Sequence, residues 1–195
     1  PMKQVFLIGD SIRHGYKETV RKELEGVAEV SSPEANCGTT SATLIGLSGW
    51  VLNRKTDLVH ANNGLHDIKT VWFGGRANVV PLAHYRDNVE TILRTIREQT
   101  GAKVIWATMT PVDYKKAHEA HAKNRDFDRF EEDVVAYNKV AIEVCNRLGV
   151  PVNDLYSVIM NAGKDKCLDS DGVHFTGEAY ELLGKAVAAI IRKHL

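Results

Sequence analysis

The strongest fold signal in this 195-residue sequence is a short apolar segment near its start. Residues 5–8 read Val-Phe-Leu-Ile, a run that is too short for a helix of its own and typical of a buried parallel strand. Gly9-Asp10-Ser11 follows at once, so polar residues come directly after a core strand. In an open α/β sheet, ligands bind beyond the carboxyl ends of the strands, which makes Ser11 a candidate nucleophile. The alternative is that Asp10 and Ser11 only form a turn and cap the next helix.

Strand and helix patterns alternate along the rest of the chain. Short apolar runs predict further strands at residues 27–30, 57–61, 103–108 and 150–153. Helical spacing of apolar residues predicts helices at residues 15–25, 43–52, 85–98, 130–148 and 177–194. Residues 68–82 are predicted to form a loop over the site entrance, and residues 114–128 an exposed charged excursion. The alternation predicts one domain over residues 1–195, a three-layer α/β/α sandwich around a parallel sheet of about five strands.

The charge balance and the cysteines argue against several classes of protein. The chain has 25 Lys and Arg residues against 25 Asp and Glu residues, so no net basic field attracts nucleic acid. Cys37, Cys145 and Cys167 are widely spaced, which argues against a disulfide framework and against a zinc site. No apolar run approaches the ~20 residues of a membrane span, and no signal-peptide pattern precedes the first strand. We expect no nucleic-acid partner, no membrane span, and a cytoplasmic location, or a secreted or periplasmic one if a signal was removed upstream of Pro1.

Residues that can activate a serine lie near the other end of the chain. A serine hydroxyl is a poor nucleophile until a base takes its proton, and the base needs a carboxylate to orient it. Asp171 and His174 precede the last predicted helix and are three residues apart, so their side chains can meet on a turn. We predict that His174 faces Ser11 across the edge of the sheet. The backbone N–H groups of Ser11 and Gly38 are then the candidate donors to an oxyanion.

Motifs in this order resemble those of the SGNH (GDSL-type) hydrolases, a family named for Ser, Gly, Asn and His in four sequence blocks. Ser11 in GDSI matches the block of the nucleophile, and Gly38 in NCGTTS matches the block of the oxyanion glycine. Asp171 and His174 in DGVHFT match the last block. Each motif alone is weak, but the ordered set is specific. The resemblance implies a flavodoxin-like sheet and ester hydrolysis through an acyl-serine intermediate, with neither a metal nor a cofactor.

One block departs from the family pattern. Where the family has Gly-x-Asn-Asp, this chain has Gly64-Leu65-His66-Asp67. The family asparagine donates a side-chain N–H to the oxyanion, and a neutral imidazole can also donate one. We therefore predict that His66 is the third oxyanion donor; the alternative is that it only bonds the loop backbone. A rival triad with His66 as the base is disfavoured, since adjacent residues rarely join their side chains in one hydrogen bond, and Asp67 is expected to brace the loop.

Other residues near the predicted site allow two interpretations. The candidate substrate contacts are Arg13, His14, Trp72 and Phe73. The first two follow the nucleophile closely enough to touch a substrate, or they belong to an exposed helical turn. The two aromatic residues either stack on a sugar ring or cover the core. His118 and His121 have the spacing of some metal ligands, but no cluster of Cys or Asp accompanies them, so a solvated segment is the preferred interpretation.

The leading functional hypothesis is a serine esterase that removes short acyl groups, acetyl above all, from a carbohydrate or a similar polar small molecule. GLHD and DGVHFT resemble carbohydrate-esterase-like members more than the lysophospholipase and thioesterase branch, and the chain has no long apolar lid to receive a fatty acyl group. The alternatives are a lysophospholipase- or thioesterase-like acyl hydrolase and a ligand-binding SGNH-fold protein with impaired catalysis. The joint presence of Ser11, Asp171 and His174 argues against impaired catalysis. The oligomeric state is not indicated by the sequence.

Overall fold

A computed structural model describes residues 1–72, 74–121 and 126–195, and a parallel sheet forms its centre. The strands are β1 (Lys3–Gly9), β2 (Ala28–Ser31), β3 (Leu58–Asn62), β4 (Thr70–Trp72), β5 (Arg76–Asn78), β6 (Lys103–Ala107) and β7 (Val152–Asn153). Within the described residues, five of them form one sheet in the order β2-β1-β3-β6-β7, and each neighbouring pair is parallel. Strands β4 and β5 pair separately and antiparallel.

Helices cover the sheet in two groups. The α-helices are α1 (Ser11–Glu23), α2 (Thr40–Leu47), α3 (Leu82–Thr100), α4 (Tyr114–Ala120), α5 (Glu131–Leu148), α6 (Leu155–Ala162), α7 (Lys164–Cys167) and α8 (Gly177–His194), and a π-helical turn, Ser48–Leu52, follows α2. Helix α8 packs on α1 and α6, whereas α3 packs on α2 and α5. The predicted α/β/α sandwich with a central parallel sheet is confirmed. Every helix in the described part of the chain is too short or too polar to cross a membrane.

The apolar pattern of the strands explains why the sheet is central. Strand β1 is buried from Val5 to Gly9, and β3 is buried along its whole length. Continuous burial is expected of parallel strands that are covered on both faces. Helix α3 buries one apolar stripe at the spacing of an amphipathic helix, and this stripe contains Tyr85, Val89, Ile92, Leu93 and Ile96. The core therefore lies between the sheet and the inner faces of the helices.

Some predicted bounds of helices and strands are wrong, because side-chain caps and pairing between strands determine where these elements begin and end. Helix α1 begins at Ser11, four residues earlier than predicted, because the Asp10 side chain accepts a hydrogen bond from the Ile12 amide at 2.9 Å and caps the helix. Residues 68–82 are not only a loop, since they contain β4 and β5. The predicted excursion at 114–128 contains helix α4, and α6 and α7 were not predicted at all.

Helices α1 and α8 approach each other closely at a glycine. A Cβ atom added at Gly184 would lie 2.5 Å from the Thr19 Cβ and 3.0 Å from the Tyr16 carbonyl oxygen. Neither neighbour is the end of a flexible side chain, so the two helices would have to separate. Gly184 therefore determines the distance between α1, which begins with Ser11, and α8.

We predict that Gly184→Ala lowers the free energy of unfolding by about 1–2 kcal/mol, because overpacking outweighs the usual helical preference for alanine. Gly177→Ala is the matched control, since no atom lies within 4 Å of a Cβ added there. Urea denaturation of both variants provides the measurement. Equal midpoints for the two variants would contradict close packing at Gly184.

Candidate active site

Ser11 lies where strand β1 passes into helix α1. It is the first residue of that helix, and its amide is therefore one of the N-terminal N–H groups that lack an intrahelical acceptor. The preceding residue, Asp10, is only 2% exposed. Burial raises the pKa of Asp10, although its hydrogen bond from Ile12 and the nearby charge of Arg129 act in the opposite direction. The strand thus ends in a capped turn that presents a serine at the helix N-terminus.

A chain of hydrogen bonds joins Ser11 to two residues from the far end of the sequence. The Ser11 Oγ lies 2.7 Å from Nε2 of His174. The His174 Nδ1 lies 2.5 Å from Oδ2 of Asp171, and a carboxylate in this position accepts the Nδ1 proton. In the neutral ring with its proton on Nδ1, Nε2 has a free lone pair and can accept the Ser11 proton. The structure therefore brings together the three side chains that were predicted to form the triad.

The Asp171 carboxylate is held in place by the turn on which it lies. Its Oδ1 accepts hydrogen bonds from the amides of Val173 and His174, both at 2.9 Å. Partial burial alone would raise the pKa of Asp171, but the bonds from the His174 ring and from the two amides lower it below its ordinary value. Asp171 is therefore anionic at neutral pH, as the orienting member of a triad must be.

Gly172 allows this turn to pack against the start of helix α4. Its φ angle is +70°, and a Cβ atom there would lie 2.6 Å from the Asp113 carbonyl oxygen. The Gly172 carbonyl accepts a hydrogen bond from the Asp113 amide at 2.8 Å. Only glycine combines this backbone angle with such a close approach. The loop after β6 thus supports the turn that carries Asp171 and His174.

The loop after β2 contains Gly38, the second predicted oxyanion donor. Its N–H group is already engaged, since it donates to Oδ1 of Asn36 at 2.8 Å. The Gly38 carbonyl accepts from Nδ2 of Asn63 at 3.3 Å, which ties this loop to the one after β3. Asn36 was not singled out in the sequence, because an asparagine beside a glycine is an ordinary turn signal.

His66 lies in the loop after β3 and is partly buried. Burial lowers the pKa of His66 to about 4, and the charges of Lys69 and Arg129 lower it further. The ring is therefore neutral at pH 7 and carries one N–H group. The role of His66 as the third oxyanion donor stays a prediction.

Asp67 belongs to the loop framework. Its carboxylate accepts from the Thr40 amide at 3.1 Å and from the Thr40 hydroxyl at 2.5 Å. Burial raises the pKa of Asp67 to about 6, and the bonds from Thr40 oppose this rise. In the described part of the chain, no hydrogen bond joins Asp67 to His66 or His174. This arrangement gives no support to a triad based on His66 and is consistent with the expected bracing role of Asp67.

The interpretation of Arg13 as a substrate contact is wrong. The side chain is 0% exposed and points into the protein. Its guanidinium donates to the carbonyl oxygens of Gly9, Pro33 and Ala35 at 3.1, 2.7 and 2.8 Å. Arg13 therefore ties the end of β1 to the loop that carries Gly38 and cannot reach a ligand. Sequence position alone placed it near the site, but its burial was not visible in the sequence.

The remaining predicted contacts differ in their surroundings. His14 is partly exposed, and its Nε2 lies 3.3 Å from Nη2 of Arg13. Trp72 is 53% exposed, so it does not simply cover the core. Phe73 lies outside the described residues. The contacts of His14 and Trp72 with a substrate stay predictions.

Arg129 is a buried charge at the site that sequence reasoning missed. It is only 7% exposed, and its Nε donates to the Leu65 carbonyl oxygen at 2.7 Å, next to His66. Burial lowers the pKa of Arg129 to about 10, although Asp10 and Asp171 act in the opposite direction. It remains protonated at neutral pH and contributes positive charge near the triad. In the sequence it is one of many charges in a charged segment, so no signal identified it.

Comparisons with known proteins identify the family of this chain. Residues 7–182 match the model of the GDSL-like Lipase/Acylhydrolase family. A GDSL esterase/lipase from Arabidopsis thaliana is 24% identical over 137 residues, which cover 63% of this chain and 53% of the plant protein. The chain thus spans about half the length of that curated relative.

Solved structures share the fold over nearly the whole chain. A lipase/acylhydrolase from Enterococcus faecalis has a TM-score of 0.81 and 27% identity, with 100% of this chain and 97% of that chain covered. An acetyl xylan esterase has a TM-score of 0.74 and 15% identity, with 96% and 99% covered. At that identity the second likeness concerns the fold alone. With the family match over most of its length, the chain belongs to the GDSL-like lipase/acylhydrolase family, and the family predicted from its sequence motifs is confirmed.

Proposed function

We propose that residues 1–195 form one catalytic domain, a serine esterase in which Ser11 is the nucleophile, His174 the general base and Asp171 the orienting carboxylate. The observation that carries the proposal is the chain of hydrogen bonds from Ser11 Oγ through the His174 ring to Asp171, with distances of 2.7 and 2.5 Å. A nucleophile within reach of a base, and a base oriented by a third group, are the requirements for acyl transfer through serine. Membership of a family of ester hydrolases supports the same reaction.

The reaction proceeds in two half-reactions. Ser11 Oγ attacks the ester carbonyl while its proton passes to Nε2 of His174, and the resulting imidazolium is stabilised by Asp171. The bond to the alcohol oxygen then breaks, and His174 returns the proton to that oxygen. In the second half, His174 takes a proton from water, whose oxygen attacks the acyl carbon. The acid is released, and Ser11 recovers its proton from His174.

The negative oxygen of each tetrahedral intermediate is assigned to three donors: the amides of Ser11 and Gly38 and the side chain of His66. The position of Ser11 at a helix N-terminus supports this assignment, because the helix dipole favours negative charge there. The neutral state of His66 also supports it, since a neutral ring offers one N–H group. The Gly38 amide can take part once its bond to Asn36 is shared or broken.

Short acyl esters of a carbohydrate, with acetyl the leading case, are the proposed substrates. The motifs GLHD and DGVHFT support this choice, and one solved structure with the same fold is an acetyl xylan esterase. A lysophospholipase- or thioesterase-like acyl hydrolase is the main competitor. A catalytically impaired binding protein is the second competitor.

We predict that Ser11→Ala lowers kcat on 4-nitrophenyl acetate by roughly 10⁴-fold or more, as expected when the nucleophile of a triad is removed. A fluorophosphonate should label the parent protein and not the variant. Ser48→Ala is the control, because Ser48 is an exposed serine of the π-helical turn at residues 48–52. Activity retained by Ser11→Ala would refute the proposed nucleophile, and absence of labelling in the folded parent would favour the impaired binding protein.

The acyl specificity is tested with 4-nitrophenyl esters from acetyl to dodecanoyl, because the leaving group is then constant. We predict that kcat/KM is highest for acetyl and falls steadily as the chain lengthens. A maximum of kcat/KM at octanoyl or a longer acyl chain would instead favour a lysophospholipase- or thioesterase-like acyl hydrolase.

We predict that His66→Ala lowers kcat by about 10²- to 10³-fold, the usual cost of losing one oxyanion donor, whereas His66→Asn restores most of the rate. The pKa of about 4 keeps His66 neutral above pH 5, so the pH–rate profiles of the parent and of His66→Asn should coincide between pH 5 and 8. If the parent lost activity near the ordinary histidine pKa and His66→Asn did not, His66 would be titrating in that range, and the neutral-donor role would be contradicted. An unchanged kcat in His66→Ala would contradict the role altogether.

A further inference from the structure

A cavity of about 360 Å³ lies between the end of β4 and helix α4. The described residues that line it are Trp72, Tyr114, His118, His121, Phe127 and Asp128. One wall includes β4, which begins three residues after Asp67 in the loop of His66. The other wall is the start of α4, whose cap residue Asp113 bonds the turn between Asp171 and His174. Both walls of the cavity, here called the aromatic cleft, therefore belong to segments that continue into or bond the loops of the proposed catalytic site.

The aromatic cleft is held in shape by a buried carboxylate. Asp128 is only 7% exposed, and its Oδ2 accepts from the Trp72 indole N–H at 3.0 Å. Its Oδ1 lies 2.8 Å from Nδ1 of His118. The backbone of Asp128 also pairs with Thr70 on β4, through bonds of 2.7 and 2.9 Å. Asp128 thus bonds rings from both walls at once.

Stacked rings form one side of the cleft. The Tyr114 ring lies 4.6 Å from the Phe130 ring at an interplanar angle of 12°, and 5.4 Å from the His118 ring at 29°. Trp72 meets Phe130 edge-on, with ring centroids 6.3 Å apart. Trp72 nevertheless remains 53% exposed, although its N–H group already has a partner. The exposed part of the indole is therefore presented to the solvent in a fixed orientation.

The charges around the cleft and the polarity of its walls narrow the choice of ligand. The Arg76 guanidinium lies 3.9 Å from the centre of the Phe130 ring, and Lys69 and Arg129 lie 4.5 and 5.0 Å from that of Phe127. Arg76 is paired with Glu132 and Asp133, but the positive charges of Lys69 and Arg129 at the Phe127 ring disfavour a cationic ligand such as a quaternary ammonium group. A fatty acyl chain is also a poor fit, since His118, His121 and Asp128 contribute polar groups to the walls. A neutral ring with an apolar face and hydroxyl or ester oxygens at its edge matches both the flat indole and the polar groups.

We propose that the aromatic cleft binds a saccharide ring that forms the alcohol part of the ester, with Trp72 as its stacking surface. This inference rests on the proposed esterase function and adds the location and the chemical class of the leaving group. Asp128 is a positioning residue, since it acts through Trp72 and His118. In this proposal the ring occupies the cleft while the acyl group reaches Ser11 and the oxyanion donors.

Two acetyl esters, one with a saccharide ring and one without, distinguish a role of Trp72 in binding the ring from a general effect of its substitution on the protein. Glucose pentaacetate carries a saccharide ring, whereas ethyl acetate has the same acyl group and no ring, and acid release from both can be followed in a pH-stat. We predict that Trp72→Ala lowers kcat/KM about tenfold on glucose pentaacetate, mainly through KM, and less than twofold on ethyl acetate. Trp72→Phe should recover most of the loss, because it restores a flat ring. Val135→Ala is the control, since Val135 is an exposed apolar residue on α5 that does not line the cleft.

Binding can be measured without turnover in the Ser11→Ala variant. Glucose pentaacetate should protect exposed tryptophan fluorescence from acrylamide quenching, and the protection should disappear when Trp72→Phe is added. Equal losses on both substrates in Trp72→Ala, or no loss on the sugar ester, would overturn the proposed subsite. Activity retained by Ser11→Ala would instead overturn the proposed function, while protection of Trp72 by the sugar would still support the subsite. The two failures are therefore distinguishable.

Discussion

The parallel pairing of β1 with β2 on one side and with β3 on the other determines where chemistry can occur in this protein. Because the three strands run in the same direction, the loops that follow them meet at one edge of the sheet. Those loops carry Ser11, Gly38 and His66. In the order β2-β1-β3-β6-β7, the chain adds β2 on one side of β1 and the later strands on the other side. The strand order therefore reverses between β1 and β3, and a doubly wound sheet opens a crevice at such a position.

Buried polar groups then hold the loops at that edge. Arg13 bonds three backbone carbonyls and joins the end of β1 to the loop after β2. Asp67 bonds Thr40 and joins the loop after β3 to helix α2. Polar groups are tolerated in a protein interior when their hydrogen bonds are made, and those bonds impose directions that apolar contacts do not. The loops of the candidate site are therefore fixed by bonds with defined geometry.

The sequence predicted the sheet and the grouping of Ser11, Asp171 and His174, because strand periodicity and ordered motifs are local signals. It could not predict the β4–β5 pair or the burial of Arg13, since both depend on contacts with distant parts of the chain. Trp72 and Asp128 illustrate the same limit: their hydrogen bond joins residues 56 positions apart, and nothing in either neighbourhood indicates it. Patterns along the chain thus identified the three side chains that the structure brings together, whereas the surfaces around them became visible only in three dimensions.

The bond between the Gly38 amide and Asn36 has a consequence for selectivity between the ground state and the transition state. In the proposed mechanism, a substrate carbonyl competes for this amide with an acceptor that is tethered two residues away and is always present. A neutral ester oxygen is a weak competitor for that acceptor, whereas an oxygen with full negative charge forms a hydrogen bond roughly twice as strong. The Gly38 N–H therefore changes its acceptor from Asn36 to the substrate oxygen mainly when charge has developed on that oxygen. Binding energy that appears only at that stage accelerates the reaction and does not tighten the substrate complex.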